Sequence, residues 1–258
     1  MRQLALITGA TSGIGLEFAE IFAQEGTDLI LVARGADSLS TQKQELEDKY
    51  RVQVTILPAD LTLPDDLRRL TSFIADTKRL DFVVNNAGFG DFGYFSEREY
   101  PKMDNMICLN INALTEITHF AVRKMLSQST GGKILNIASI AGLQPVPYMA
   151  VYAATKAFVL SLSEALHYEL RSTKVSLTAL LPGPTDTRFF QRGECEGSRM
   201  RDFSMNPADV ARVGYNALMK GKMKVIAGRK NRFLGGLAKL LPINNFTLRI
   251  AEFIAKEK

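Results

Sequence analysis

The sequence predicts a single α/β domain, a doubly wound parallel sheet of seven strands flanked by helices with a helical C-terminal extension, and three observations carry that prediction. Short apolar runs rich in Val, Ile and Leu recur seven times, stretches of helical length and period separate most of them, and no linker, repeat or low-complexity segment divides the 258 residues. Such alternation puts parallel strands in one sheet with helices on both faces. The chain is long enough to bury most of its apolar surface in one core.

Taken in order, the strand runs are 3–8, 28–33, 52–57, 81–85, 133–138, 175–181 and 223–227. Each is short and rich in Val, Ile and Leu, and reads as a buried strand. The helical stretches run from Ile14 to Gln24, Ser38 to Tyr50, Asp65 to Thr77, Asn105 to Leu126 and Ala150 to Arg171. Residues 184–206 are polar and Gly-containing with scattered aromatics, and read as a substrate-binding loop or lid. Pro207 then opens a helix, a position where proline loses no hydrogen bond. Over 229–258, Phe233, Leu234, Leu237, Ala238, Leu240 and Leu241 up to Pro242, then Phe246, Ile250, Phe253 and Ile254, follow helical spacing.

Hydrophobic residues make up 46% of the chain and charged residues 23%, an ordinary globular balance. The net charge of +5 is uneven: residues 220–258 hold ten Lys or Arg against two Glu, a net +8, so residues 1–219 carry −3. Nucleic-acid arms lack apolar residues at helical spacing, so no nucleic-acid partner is expected. The basic tail reads as packing on protein, with peripheral membrane contact as the lesser alternative. Cys108 and Cys195 stand alone without CxxC spacing or a Cys/His cluster, which argues against a disulfide framework and against a metal site. The first strand begins at Gln3, leaving no room for a signal peptide, and no apolar run approaches the roughly 20 residues that span a bilayer. The expected location is cytoplasmic.

In an open parallel sheet, ligands sit beyond the carboxyl ends of the strands, where strand order reverses. The first strand ends in Thr8-Gly9-Ala10-Thr11-Ser12-Gly13-Ile14-Gly15. Glycines there permit a tight turn and close approach of backbone to a phosphate, and the following helix offers unpaired N–H groups and a positive dipole end. Tyr152 and Lys156 are four apart in a helical stretch and so share a face. An ammonium at about 4 Å contributes about 4 kcal/mol at an effective dielectric of 20, roughly three pKa units, enough to bring a phenol toward neutral pH.

The chain also carries Asn85-Asn86-Ala87-Gly88 after the fourth strand, Asn110 in a long helix, Ser139 after the fifth strand and Pro182-Gly183 after the sixth. With TGxxxGxG over 8–15 and Tyr152-x-x-x-Lys156, this order resembles the short-chain dehydrogenase/reductase family over about residues 3–227. More narrowly, the chain is similar to a branch of bacterial oxidoreductases of unassigned substrate and membrane-associated 3-ketoacyl and 17β-hydroxysteroid reductases.

The resemblance implies a Rossmann-type fold and carbonyl–alcohol interconversion by hydride transfer, with Asn110, Ser139, Tyr152 and Lys156 as the catalytic set. Tyr152 would be the general acid or base, Ser139 would bond the substrate oxygen, Asn110 would hold a relay water, and Lys156 would also hold the nicotinamide ribose. The phosphates fall to Gly9, Thr11, Ser12, Gly13, Ile14 and Gly15. Asp60 and Leu61 would meet the adenine, Asn86, Ala87 and Gly88 would line the adenosine side, and Pro182, Gly183, Thr185 and Thr187 the nicotinamide side. Where an acid would select NADH, the second strand ends in Ala33 and Arg34, so NADP(H) is preferred over NAD(H).

The substrate is expected to touch Ser139, Gln144, Tyr148, Tyr152, Phe189 and Phe190. Phe89, Phe92, Phe95, Leu143, Val146 and Pro147 would stand on one side, and Met200, Phe203 and Met205 with Arg188, Arg192, Arg199 and Arg201 on the other. Such a pocket suits an apolar ketone or aldehyde, or an acyl group with an acidic handle. Family members pair through the helices bearing Asn110 and Tyr152, which implies a homodimer or homotetramer. Each residue also has a plain structural reading: Ser139 as the start of a turn, Asp60 as a helix cap, Arg34 as a solvated loop residue. His119 and His167 gain no role. An NADP-binding redox sensor and a membrane-recruited interaction protein are the competing functions.

Overall fold

A strand covered on both faces has no solvent side to keep polar, and the runs rich in Val, Ile and Leu become the sheet. The computed structural model describes residues 2–187, 189, 201, 203–233 and 248–249. Among them the strands are β1 (Leu4–Thr8), β2 (Asp28–Ala33), β3 (Val54–Pro58), β4 (Phe82–Asn85), β5 (Gly132–Ile137), β6 (Val175–Leu181) and β7 (Lys224–Ile226). All pair in parallel, in the order β3-β2-β1-β4-β5-β6-β7. The order reverses between β1 and β4, so a crevice opens beyond their carboxyl ends.

The connecting helices are α1 (Gly13–Gln24), α2 (Ala36–Tyr50), α3 (Pro64–Asp76), α4 (Tyr100–Ile107), α5 (Leu114–Leu126), α6 (Ala150–Glu169) and α7 (Pro207–Met219). Successive strand residues serve opposite faces. Ile7, Leu29, Leu31 and Leu180 pack with Phe18, Phe22 and Val210 of α1 and α7, whereas Leu6, Ile30 and Ile134 pack with Leu70, Ile117 and Ala121 of α3 and α5. The sheet also carries a polar tie: Asn85 and Asn136 stand opposite each other in β4 and β5. The Asn85 amide donates to Thr118 Oγ1 and Asn136 Oδ1, both at 2.9 Å, and Asn136 donates to Ser163 Oγ at 3.1 Å.

Strand bounds differ from the sequence reading by a residue or two. The larger difference is the long helix, which starts at Tyr100 rather than Asn105 and is interrupted by a π-helical segment, Cys108–Ala113. Pro101 sits in the first turn, where its missing N–H costs nothing. α7 opens at Pro207, with Asn206 Oδ1 accepting from the Ala208 amide at 2.8 Å. The two ends of the 184–206 segment are pinned together: the Met205 amide donates to Pro184 O and the Asp186 amide to Met205 O, both at 2.9 Å. Arg188, Phe190, Arg192, Arg199, Met200 and nearly all of the tail expected over 229–258 lie outside the described residues. Among the described residues, no helix is long and apolar enough to cross a membrane.

Gly214 shows how tightly α7 sits on the sheet. A Cβ there would stand 2.7 Å from Leu180 Cδ2 and 2.8 Å from Phe18 Cζ. Gly214→Val is therefore expected to overpack this contact and lower stability by about 1–3 kcal/mol in urea unfolding; an unchanged midpoint would show that α7 lifts away at little cost.

Candidate active site

β1 delivers the glycine loop to the reversal point, and buried polar bonds fix it there. Thr8 Oγ1 accepts from the Asn86 and Ala87 amides, both at 3.0 Å, joining the ends of β1 and β4. The Asn86 side chain returns the tie by donating to Thr8 O at 3.0 Å and Gly9 O at 3.1 Å. Gln42 braces the far side through a bond to Ala10 O at 3.0 Å. Gly9 takes a positive φ of 65°, and a Cβ on it would stand 2.8 Å from Asn86 Nδ2. A Cβ on Gly15 would collide with Gly9 O. Side chains are thus excluded from the concave face of the loop.

α1 begins at Ser12 with no side-chain cap and no acid in its first turn, so its N–H groups and dipole stay available to an anion. Thr187 comes down on the loop: a Cβ on Gly13 would lie 2.7 Å from Thr187 Cγ2. Thr185 is buried and donates to Gly183 O at 2.9 Å, while Pro182 O accepts from the Ile140 amide at 2.9 Å. Beside the loop, Thr8, Leu61, Asn85, Ala87 and Leu109 line a shallow recess. Asn85 Oδ1 is buried and has no hydrogen-bond partner among the described residues. A side-chain-free cradle and an uncapped helix start fit the phosphates of a dinucleotide.

Arg34 is exposed beyond β2, its Nη1 3.9 Å from Asp60 Oδ2. Asp60 Oδ1 accepts from the Thr62 amide at 3.0 Å and the Thr62 hydroxyl at 2.8 Å, so this carboxylate also shapes the turn into α3. Asn86, expected along the adenosine side, donates from its side-chain amide to the glycine loop. The structure thereby gives it a bracing role within the cradle.

Three elements converge on Tyr152. A π-helical segment carries an extra residue in its turn, which re-aims side chains relative to an α-helix. Here it buries Asn110 completely. Asn110 Oδ1 accepts from the Phe89 amide at 3.2 Å, and Nδ2 donates to Phe89 O at 3.0 Å and Thr155 Oγ1 at 3.1 Å. Thr155 in turn donates to Tyr152 O at 2.8 Å. Ser139, buried at the end of β5, accepts from the Ala141 amide at 3.1 Å. It does start the turn Ile140–Leu143, yet that bond occupies a lone pair and leaves the O–H as a donor. Gly142 lets this turn lie on α6, since a Cβ there would stand 2.6 Å from the Lys156 carbonyl.

Lys156 is 5% exposed and donates to Ile137 O at 2.8 Å. Burial pulls its pKa down from the usual 10.5 to about 8. Its ammonium lies 5.9 Å from the centre of the Tyr152 ring. Gly88 brings the fourth-strand loop close, because a Cβ on it would be 2.9 Å from Asn110 Oδ1 and 3.5 Å from Lys156 Nζ.

Tyr152 lies in an apolar cluster with Met106 and Met149, against which Phe89, Phe92, Val146 and Phe189 pack. The Phe189 ring is 5.3 Å from that of Tyr152, over Gly90, where a Cβ would strike it. Tyr148 adopts a positive φ of 64° and stacks between Phe92 at 5.7 Å and Tyr94 at 5.0 Å. Gln144 is half-buried after the turn. Four expected pocket residues are elsewhere. Phe95 and Phe203 are exposed, Leu143 packs with Val159 and Leu160 of α6, and Met205 packs on the α1/α7 face of the core. Single aromatics in a loop carry no periodicity that would tell an inward ring from an outward one. Thr155, Thr8, Gln42 and Gly90 had no role in the sequence reading. Thr155 was discoverable, since it lies three residues after Tyr152 on the face shared with Lys156.

A family model described as short chain dehydrogenase matches residues 3–195. The chain is 34% identical over 188 residues to a very-long-chain 3-oxoacyl-CoA reductase of Macaca fascicularis, covering 70% of this chain and 58% of that one. It is 30% identical over 232 residues to a 7beta-hydroxysteroid dehydrogenase of Clostridium sardiniense, covering 89% and 87%. This chain therefore spans little more than half the length of the 3-oxoacyl-CoA reductases it matches. Among solved structures, a short-chain dehydrogenase from Sphingobium yanoikuyae in complex with NADPH superposes with a TM-score of 0.82 at 33% identity, covering 94% of this chain and 97% of that one.

The depressed Lys156 pKa has a stability consequence whose sign follows from proton counting. Below pH 8 the lysine is charged folded or unfolded, and the full cost of burying the cation opposes folding. Between about 8 and 10.5 the unfolded chain keeps the proton and the folded one does not, so stability rises with pH through that window. Lys156→Met is therefore expected to be more stable than wild type at pH 7, with the gap closing by about 3 kcal/mol between pH 8 and 10.5 in urea unfolding. A gap independent of pH would contradict the buried-cation account.

Proposed function

The chain belongs to the short-chain dehydrogenase family of oxidoreductases, and on that premise we propose that it is a cytoplasmic, NADPH-dependent reductase of bulky apolar ketones or aldehydes with Tyr152 as general acid. One observation carries the reading: Asn110, Ser139, Tyr152 and Lys156 are all buried at the carboxyl end of the sheet, beside a glycine loop that fits phosphates.

Gly9, Gly13, Gly15 and the start of α1 would hold the pyrophosphate, Thr187 would close over it, and Lys156 would hold the nicotinamide ribose. When bound, the reduced nicotinamide supplies a hydride to the carbonyl carbon. Tyr152 gives its phenolic proton to the carbonyl oxygen, and the Ser139 hydroxyl donates to that oxygen as negative charge grows on it. The Lys156 ammonium stabilises the phenolate left behind. Asn110, through Thr155, fixes the turn of α6 that carries Tyr152. The product is the alcohol, and the same groups run the reverse oxidation with Tyr152 as base.

The preference for NADPH rests on Ala33 and Arg34. No carboxylate ends β2 to repel a 2′-phosphate, and an exposed guanidinium with only a 3.9 Å contact to Asp60 is free to turn toward one. The NADPH complex of the relative from Sphingobium yanoikuyae supports this choice. For the substrate, the wall of Phe89, Phe92, Val146 and Phe189 suits a large apolar skeleton. Both curated relatives act, by name, on such skeletons, an acyl chain and a steroid. The outer face of α6 exposes Ala154, Ala157 and Phe158, an apolar strip through which two copies would pair.

NADPH oxidation with 3-oxoacyl thioesters, oxosteroids and bulky ketones tests the reading, and at least one class should turn over. Tyr152→Phe is expected to lower kcat by about 10²–10⁴-fold while NADPH binding persists; a variant with native kcat sinks the mechanism. Arg34→Ala should cost about tenfold in NADPH affinity and leave NADH binding unchanged, as read by calorimetry. Equal affinities for the two cofactors in wild type would refute the preference. Turnover should fall as pH rises above about 8, where Lys156 loses its proton.

A further inference from the structure

We propose that Asp91 is a positioning residue for the carbonyl site: its buried carboxylate, locked by Arg98 and Lys102, holds residues 89–93 against the helix that carries Asn110. The inference rests on the reductase reading for its kinetic consequences, though not for its geometry.

A carboxylate whose side chain is 3% exposed persists as an ion only with charged partners. Arg98 grips it in a fork, Nε to Oδ2 at 2.7 Å and Nη2 to Oδ1 at 2.6 Å, and Lys102 Nζ lies 2.8 Å from Oδ1. Burial works to raise the Asp91 pKa, but Arg98 and Lys102 together hold it below the usual carboxylate range. Gly93 makes the grip feasible: its φ is 147°, and a Cβ on it would sit 2.8 Å from Arg98 Cδ.

Lys102 is in the first turn of α4, and the same continuous helix reaches Asn110 through the π-helical segment. Two residues before Asp91, Phe89 has its N–H and its C=O both taken by Asn110. The strip is therefore pinned to one helix at two points. Between them lies Gly90, the residue that faces both Phe189 and Tyr152. After them, the Gly93 amide donates to Tyr148 O at 2.9 Å and Phe92 packs on Tyr148. Asp91 acts on the carbonyl site through Phe89 and Gly90. Releasing it frees the pocket wall beside Tyr152 while the glycine loop, braced by Thr8, Gln42 and Asn86, is left alone.

The full chain would be made as Asp91→Asn, Asp91→Glu and Lys102→Met, the last retaining the Arg98 fork should Asp91→Asn fold poorly. NADPH titration, steady-state kinetics with the best carbonyl of the screen, and hydrogen exchange of residues 88–95 with NADPH present are the readouts. Asp91→Asn should keep NADPH affinity within about twofold and lose about 10- to 100-fold in kcat/KM, with KM for the carbonyl rising. Asp91→Glu should recover part of that loss, Lys102→Met should move the same way by less, and exchange should quicken in 88–95 ahead of the rest of the chain. Native kcat/KM in a folded Asp91→Asn or Lys102→Met, or a parallel loss of NADPH affinity, would overturn the proposal. If wild type reduces no carbonyl, the reductase reading fails by itself. Exchange then decides the clamp: selective quickening of 88–95 upholds it, and uniform or absent change rejects it.

Discussion

A lysine cation buried at the carboxyl end of β5 is the interaction around which the site is organised. Water is replaced there by one backbone carbonyl, that of Ile137, so much of the cost of desolvating the ammonium remains in the folded chain. The neighbours show how closely that position is enclosed. A methyl group on Gly142 would strike the Lys156 carbonyl, and one on Gly88 would strike Asn110 Oδ1 beside the ammonium. Burial draws the Lys156 pKa toward 8, so the residue still carries its charge near neutral pH, one helical turn from the Tyr152 phenol.

The surrounding polar groups divide the remaining work. Asn85, Thr118, Asn136 and Ser163 tie β4 and β5 to α5 and α6 below the site. Above them, Asn110 bonds the fourth-strand loop to α6 through Thr155. Nearly every polar atom in these two sets has a partner among the described residues, as buried polar networks require if they are not to cost more than an apolar core. The unpartnered Asn85 Oδ1 is the exception, and it lies among the residues lining the recess beside the glycine loop.

Much of the fold was legible because the strands are short runs rich in Val, Ile and Leu and the helices have a plain 3.6-residue period. The glycine loop was legible for a different reason, since only glycine serves at Gly9 with its positive φ and at Gly15 against the Gly9 carbonyl. Tyr152 and Lys156 share a helix face by spacing, but the motif order of the whole chain singled them out. Phe95, Leu143, Phe203 and Met205 did not, because an irregular loop has no period from which direction can be inferred. The π-helical segment was equally hidden: Cys108–Ala113 has the composition of ordinary helix, and its distortion answers to bonds made with Phe89 and Thr155 far away in sequence.

By itself, then, the sequence determined the alternation of strand and helix and the glycine loop after β1, while the resemblance of its motifs picked out Asn110, Ser139, Tyr152 and Lys156. The strands, helices and loop are local properties, set by period and residue type. The depth at which Lys156 is buried, the clamp of Asn110 on Phe89, the ion triad at Asp91 and the seating of Phe189 on Gly90 were decided only by tertiary structure. Each joins residues from separate crossovers, and whether two such groups meet depends on how the helices settle on the sheet, which no pattern within a single segment records.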